Sequence, residues 1–304
     1  MISSARDRAP RWLAARYLLW AAAFFLAPDA WSQDAVTLLA REVSLRDRLA
    51  HNAFRVPLVL ESTDVGGLLE GNIHAVVAHP FADVARALQG AGRWCDILIV
   101  HPNVKECRAS GSGASSVLGL SIGRKYDQPL SDAYRLAFAY RVAASDPRYL
   151  SLRLVADSGP LGTSDYRIQV EAAPIDAQST FLHMSYSYAY GTAARLLMEG
   201  YLATIGRGKV GFSILGRESD GSPVYAGGSR GVVERNTMRY YLAIESYLGA
   251  TATPEAEQAE KRLHDWFAAA ERYPRQLHEM DLDEYLSIKR HELARQKAAA
   301  VAVN

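Results

Sequence analysis

The chain has 304 residues, 49% of them hydrophobic and 22% charged, with a formal net charge of +1. This composition can bury a core in one large domain or two small ones, and it excludes a disordered, low-complexity chain. A balance so close to neutral gives no hint of nucleic acid, which is not an expected partner.

Arg6, Arg8, Arg11 and Arg16 open the chain, and the apolar run "YLLWAAAFFLA" follows. Ala30 and Ser32 then stand at small-residue positions before Gln33. This is the layout of a secretory signal peptide over residues 1–32, cleaved after Ser32. The run of about eleven residues is short for a membrane anchor, which needs roughly twenty. No cysteine stands at the cut, so a lipid anchor is not expected. Removing four arginines and two aspartates leaves the remaining chain near −1. The protein is therefore expected to be exported, and periplasmic if its source is Gram-negative.

Residues 33–70 read as a mixed lead-in. Val36, Leu39, Val43, Leu45 and Leu49 have helical spacing, and "RVPLVLES" suits a short strand. Ile73 to Ala78 reads as a strand, and His79-Pro80 turns the chain into a helix through Phe81, Val84, Ala85 and Leu88. Gly90 and Gly92 end that helix. Trp94 to Val100 follows as a buried element that carries the first of two cysteines, Cys95 and Cys107. In an oxidising compartment an isolated pair is expected as a disulfide. A loop of this size would contribute roughly 3 kcal/mol. Two buried thiols are the alternative. No C-x-x-C motif suggests redox chemistry, and two cysteines are too few for a structural zinc site.

A series of period-two segments comes next. Leu118, Leu120 and Ile122 share a face, as do Tyr134, Leu136, Phe138, Tyr140 and Val142. Leu150, Leu152 and Leu154 oppose Tyr149, Ser151 and Arg153. Tyr166, Ile168 and Val170 oppose Arg167, Gln169 and Glu171. In "FLHMSYSYAYG", Leu182, Met184, Tyr186, Tyr188 and Tyr190 oppose Phe181, His183, Ser185, Ser187 and Ala189. Short turns such as "SDPR" join these segments, so a meandering antiparallel sheet is expected, with one apolar, aromatic face and one face toward water. "AARLLMEGYLATIG" suits a helix ended by Gly206. A stronger helix runs from Val232 to Leu248 and should cover the apolar face. Residues 249–304 are helical, charged and strand-free; Leu263, Trp266, Phe267 and Ala270 could pack back onto the body.

The order of strand, short helix, sheet meander and long helix resembles the START-like (SRPBCC) superfamily, which includes polyketide cyclases and Bet v 1-like proteins. The residues that carry the resemblance are "HAVVAHPFADVARAL", the strands from Leu118 to Tyr190 and "RGVVERNTMRYYLAIESYL". The resemblance spans residues 71–248 and implies an α+β helix-grip fold, a curved antiparallel sheet holding a long C-terminal helix. It also implies a cavity for a lipid or other hydrophobic small molecule, with no cofactor. On this register the cavity would be lined by Phe138, Tyr140, Leu152, Ile168, Met184, Tyr186 and Tyr188 from the sheet and by Met238 and Tyr241 from the helix. The competing arrangement is a filled core in which the tyrosines pack on Tyr240, Tyr241 and Met238.

Catalytic and metal motifs are absent from the sequence. "GRGKVG" matches G-x-G-x-x-G but follows a helix rather than a strand. His74, His79, His101 and His183 lack metal-ligand spacing, and His183 should point outward. Glu234, Arg235 and Asn236 could meet a ligand headgroup, or lie on a solvated helix face with Glu234 paired to a sheet arginine. Arg124, Lys125, Arg135, Arg141, Arg153 and Arg167 make the outer face basic, so an anionic membrane surface is a candidate partner. Three functions fit: carriage of a hydrophobic molecule, a cyclase- or hydrolase-like reaction on the same scaffold, or partner binding through the C-terminal helices.

Overall fold

In the computed structural model, which describes residues 30–204 and 208–301, the alternating segments form one eight-stranded antiparallel sheet. The expected signal segment lies outside the described residues except for its last three, which begin helix α1 (Ala30–Ala50). Strands β1 (Leu58–Val65) and β2 (Leu68–Val77) follow. Gly66 and Gly67, both at positive φ, make the two-residue turn between them. Helices α2 (Phe81–Leu88) and α3 (Ala91–Leu98) lead into the meander. Its strands are β3 (Val104–Ser110), β4 (Val117–Ile122), β5 (Tyr134–Asp146), β6 (Tyr149–Ser158), β7 (Thr163–Pro174) and β8 (Thr180–Tyr190). Each strand of the meander pairs with the next, and β2 pairs with β8, giving the order β1-β2-β8-β7-β6-β5-β4-β3.

Helix α4 (Thr192–Ala203) and the hairpin of β9 (Ile214–Arg217) and β10 (Pro223–Tyr225) separate the sheet from α5 (Gly228–Ala250). Helix α5 begins one turn before the expected Val232 and lies on the inner face of the sheet, as the helix-grip reading requires. Gly71 lets it come close: a Cβ there would stand 2.1 Å from Thr237 Oγ1. The 70/71 boundary falls inside β2, and residues 33–70 supply most of α1 and all of β1.

Two expectations about the sheet faces change. The outer face does not meet water throughout, because α1 covers part of it. Ala35, Leu38, Leu45 and Leu49 pack there with Val59, Ala144, Tyr149, Ala173 and Phe181. Val36 and Val43, expected in that stripe, are 60% and 55% exposed. The packed face runs through positions 35, 38, 42, 45 and 49, a spacing that the alternative stripe obscures. In β5, a register shift after Val142 leaves that side chain 43% exposed and turns Ala144 under α1. Elsewhere the register stands as expected, with Arg141, Arg153 and Arg167 exposed on the outer face.

Residues 249–304 supply α6 (Glu255–Glu271), α7 (Pro274–Leu277) and α8 (Leu282–Val301). Helix α6 packs on α5 through buried Leu263, Trp266 and Ala270, and Trp266 Nε1 donates to Arg239 O at 3.1 Å. Helix α8 lies against β3. Among the described residues, no helix is long and apolar enough to cross a membrane.

Cys95 on α3 and Cys107 on β3 are disulfide-bonded across a sequence separation of 12. The bond joins the only two cysteines of the chain, and it is compatible with an oxidising compartment. Replacing both cysteines by alanine should cost roughly 3 kcal/mol, since a loop of this size is freed in the unfolded state. Urea unfolding at constant slope checks this, and an unchanged midpoint would contradict it.

Candidate functional site

The antiparallel register of β7 and β8 sets Ile168 opposite Tyr186, and Tyr188 follows on the same face. A register shift between Ser164 and Arg167 brings in Tyr166. Its ring stacks on Tyr188 with centroids 5.2 Å apart and planes 12° apart. Tyr186 lies 5.6 Å from Tyr188, and Tyr240 of α5 closes on Tyr186 at 5.0 Å. Phe138 meets Tyr166 edge-on at 6.4 Å. The rings fill the space between sheet and helix, and at Tyr166 and Tyr240 the cluster is only part-buried.

His101, in the turn after α3, is buried and stacks on Tyr240 at 5.1 Å. Its Nδ1 accepts the Asn103 N–H at 3.1 Å, and its Nε2 has no hydrogen-bond partner among the described residues. Burial, with help from Arg239, holds the imidazole well below its usual range, so the ring is neutral. Burial likewise raises Tyr186, Tyr188 and Tyr240, which therefore keep their protons and can donate.

A charged group lies beside this cluster. Glu279, between α7 and α8, has its Oε1 2.6 Å from Lys125 Nζ and its Oε2 3.2 Å from Lys209 Nζ. Arg239 Nη2 also donates to Glu279 Oε1. Burial pushes the Glu279 carboxyl up, but Arg239, Lys125 and Lys209 outweigh it and hold the group below its ordinary value. Burial and then Arg239 bring Lys125 down to about 8.

All nine expected lining residues are buried in one cluster: Phe138, Tyr140, Leu152, Ile168, Met184, Tyr186, Tyr188, Met238 and Tyr241. Two of them aim their polar tips elsewhere. Tyr140 Oη accepts the Gly90 N–H at 2.8 Å and holds the junction of α2 and α3. Tyr241 Oη donates to Glu245 on its own helix at 2.9 Å. Its neighbour Tyr240 supplies the ring that meets Tyr186. Sequence reasoning weighed His101 only as a metal ligand, and put Lys125 on the basic outer face although it turns to Glu279. It left out Lys209, Arg239 and Glu279, which come together from distant parts of the chain.

On α5, Glu234 departs from the expected solvated face. Glu234 is neither solvated nor paired with a sheet arginine. It is fully buried and accepts from Ser62 Oγ at 2.5 Å and from the Phe212 and Ser213 N–H groups at 2.5 and 2.8 Å. It thereby ties β1 and the segment before β9 to α5. Glutamine there could not accept from all three donors, so Glu234→Gln should cost about 2 kcal/mol in urea unfolding. A loss under about 0.5 kcal/mol would contradict this clamp.

His183 points to the outer face as expected. Its Nδ1 lies 2.9 Å from Glu171 Oε2 and its Nε2 2.8 Å from Asn72 Oδ1. With both nitrogens engaged, the ring ties β2, β7 and β8 together and has none left for a substrate. His74 stacks on it at 4.5 Å, and burial, then His183, push His74 down to about 3. Among the described residues no group of three His, Cys, Asp or Glu is placed to hold a metal ion. An open cleft of about 390 Å³ lies at the edge of β1, lined by residues that include Arg48, Ser62, Ser213 and Arg230 and by none of the nine.

No protein-family model matches the sequence, and no curated protein matches it. Solved structures with partial likeness include norcoclaurine synthase from Thalictrum flavum, at 14% identity and TM-score 0.32, covering 46% of this chain and 82% of that one. An aromatase/cyclase from a Streptomyces species gives 13% identity and TM-score 0.31, covering 68% and 95%. A protein from Thermus thermophilus gives 12% identity and TM-score 0.39, covering 61% and 99%. The helix-grip assignment rests on the strand order and on the position of α5 rather than on these scores.

Proposed function

We propose that the protein is exported and carries a small molecule with a large apolar body, a lipid or another hydrophobic compound, which parts the tyrosine rings between the sheet and α5. The observation that carries this reading is the cluster of Tyr166, Tyr186, Tyr188 and Tyr240, four phenol rings in mutual contact between the sheet and α5. Such rings give an apolar wall and keep hydroxyls available to a guest. The part-buried Tyr166 and Tyr240 offer the way in. No cofactor enters this reading.

A specific observation favours a second reading, a reaction on the same scaffold. Neutral His101 accepts on Nδ1 and so carries its proton on the unpartnered Nε2, which lies beside Tyr240 as a hydrogen-bond donor for an oxygen of a bound molecule. Native mass spectrometry of the protein purified from its own envelope tests the first reading. A folded ion heavier than the polypeptide by one apolar molecule is expected. An unliganded ion, together with no uptake of dodecanol or dodecanoate, would overturn it. Export is checked by sequencing the amino terminus, which should begin at Gln33. A chain still starting at Met1 would count against export.

A further inference from the structure

We propose that the cradle of Lys125, Lys209 and Arg239 is the headgroup site for a carboxylate on the bound molecule, and that Glu279 is its internal stand-in. This rests on the apolar-carrier reading above. Three separate stretches build the cradle, the β4–β5 connection, the segment after α4 and helix α5, and the link between α7 and α8 brings Glu279 to it. One carboxylate receives three cations, with Lys125 Nζ at 2.6 Å from Oε1, Lys209 Nζ at 3.2 Å from Oε2, and Arg239 Nη2 also at Oε1. Tethering the extension would need one such cation. Three, arranged on both oxygens, form a receptor for a carboxylate group.

The cradle adjoins the tyrosine cluster. His101 links the two: it stacks on Tyr240 at 5.1 Å, and Pro102, the next residue, lines a small cleft together with Glu279. A molecule whose apolar body lies among the rings would therefore place a terminal carboxylate at the cradle. Glu279 sits in the short link of residues 278–281, outside both helices, where a change of backbone course can remove it. Lys209 Nζ also donates to His278 O at 2.5 Å, so the same lysine holds the link while Glu279 is in place. Arrival of the guest carboxylate would expel Glu279 and free the link.

Calorimetric titration of the full mature chain with dodecanoate and with dodecanol tests this. The wild type should bind dodecanoate about tenfold more tightly than dodecanol. Glu279→Gln should strengthen dodecanoate binding about tenfold more and leave dodecanol unchanged. The double variant Lys125→Gln/Lys209→Gln should weaken dodecanoate alone, again by about tenfold. If both ligands bind equally in all three proteins, the headgroup site is refuted while the carrier reading stands. If neither ligand binds the wild type, the carrier reading falls and takes the headgroup site with it.

Discussion

Replacing Glu292 by alanine should cost about 3–5 kcal/mol and loosen α8 from β3, because it strands two buried ammonium groups at once. Lys105, Lys289 and Glu292 are all fully buried. Lys105 Nζ donates to Glu292 Oε1 at 2.9 Å and Lys289 Nζ to Oε2 at 2.5 Å. Lys289 also donates to His101 O at 3.2 Å and Val104 O at 2.8 Å, so it cannot turn to solvent without losing them. Burial brings Lys289 from its ordinary 10.5 down to about 8 even with Glu292 beside it. A lowered lysine binds fewer protons folded than unfolded, so its contribution to stability rises with pH between about 8 and 10.5. Below that window the cost of burying the charge is fully present. Losing Glu292 lowers Lys289 further, so the folded variant sheds this proton at a lower pH than the wild type. The Glu292→Ala deficit should therefore be largest on the acid side of about pH 8 and smaller above it, as read by urea unfolding on both sides of that value. A deficit under about 1 kcal/mol at neutral pH would mean that the triad does not hold α8.

Much of this fold was legible because a sheet with one buried face repeats its signal every second residue. The register that put Leu152, Ile168, Met184 and Tyr186 on one face and Arg141, Arg153 and Arg167 on the other needed no long-range information. The site was less legible for three physical reasons. Helix α5 is buried on nearly all sides by the sheet, α6 and the segment before β9, so no stripe distinguishes Tyr240 from Tyr241. Glu234 finds partners more than twenty residues before it and in β1, a pairing that local spacing cannot reveal. The cations around Glu279 come from three separate stretches, and each alone reads as an ordinary surface charge. The outer face misled for a related reason: its covering helix carries two overlapping apolar spacings, and only packing against Tyr149 and Phe181 selects one.

Tyr186→Ala should cost about 3–5 kcal/mol, the usual loss for deleting a large ring from a filled core. Tyr186 is buried, with neighbouring rings at 5.0 Å (Tyr240), 5.6 Å (Tyr188) and 6.4 Å (Tyr166). It pairs with Gly71 on β2 and Ile168 on β7, and the approach of α5 to Gly71 leaves its surroundings little room to collapse. A residual hole is therefore expected, and holes of this kind accept apolar guests. In the wild type a guest must first part the rings, so the variant should lose stability and yet bind dodecanol more tightly. Tyr186→Phe keeps the ring and removes the hydroxyl, and should cost about 1 kcal/mol with little change in dodecanol binding. Urea unfolding and calorimetric titration on the three proteins separate these effects. A Tyr186→Ala variant that is nearly as stable as the wild type but binds dodecanol more weakly would identify the ring as a ligand wall rather than core. The guest would then enter beside the rings without displacing them.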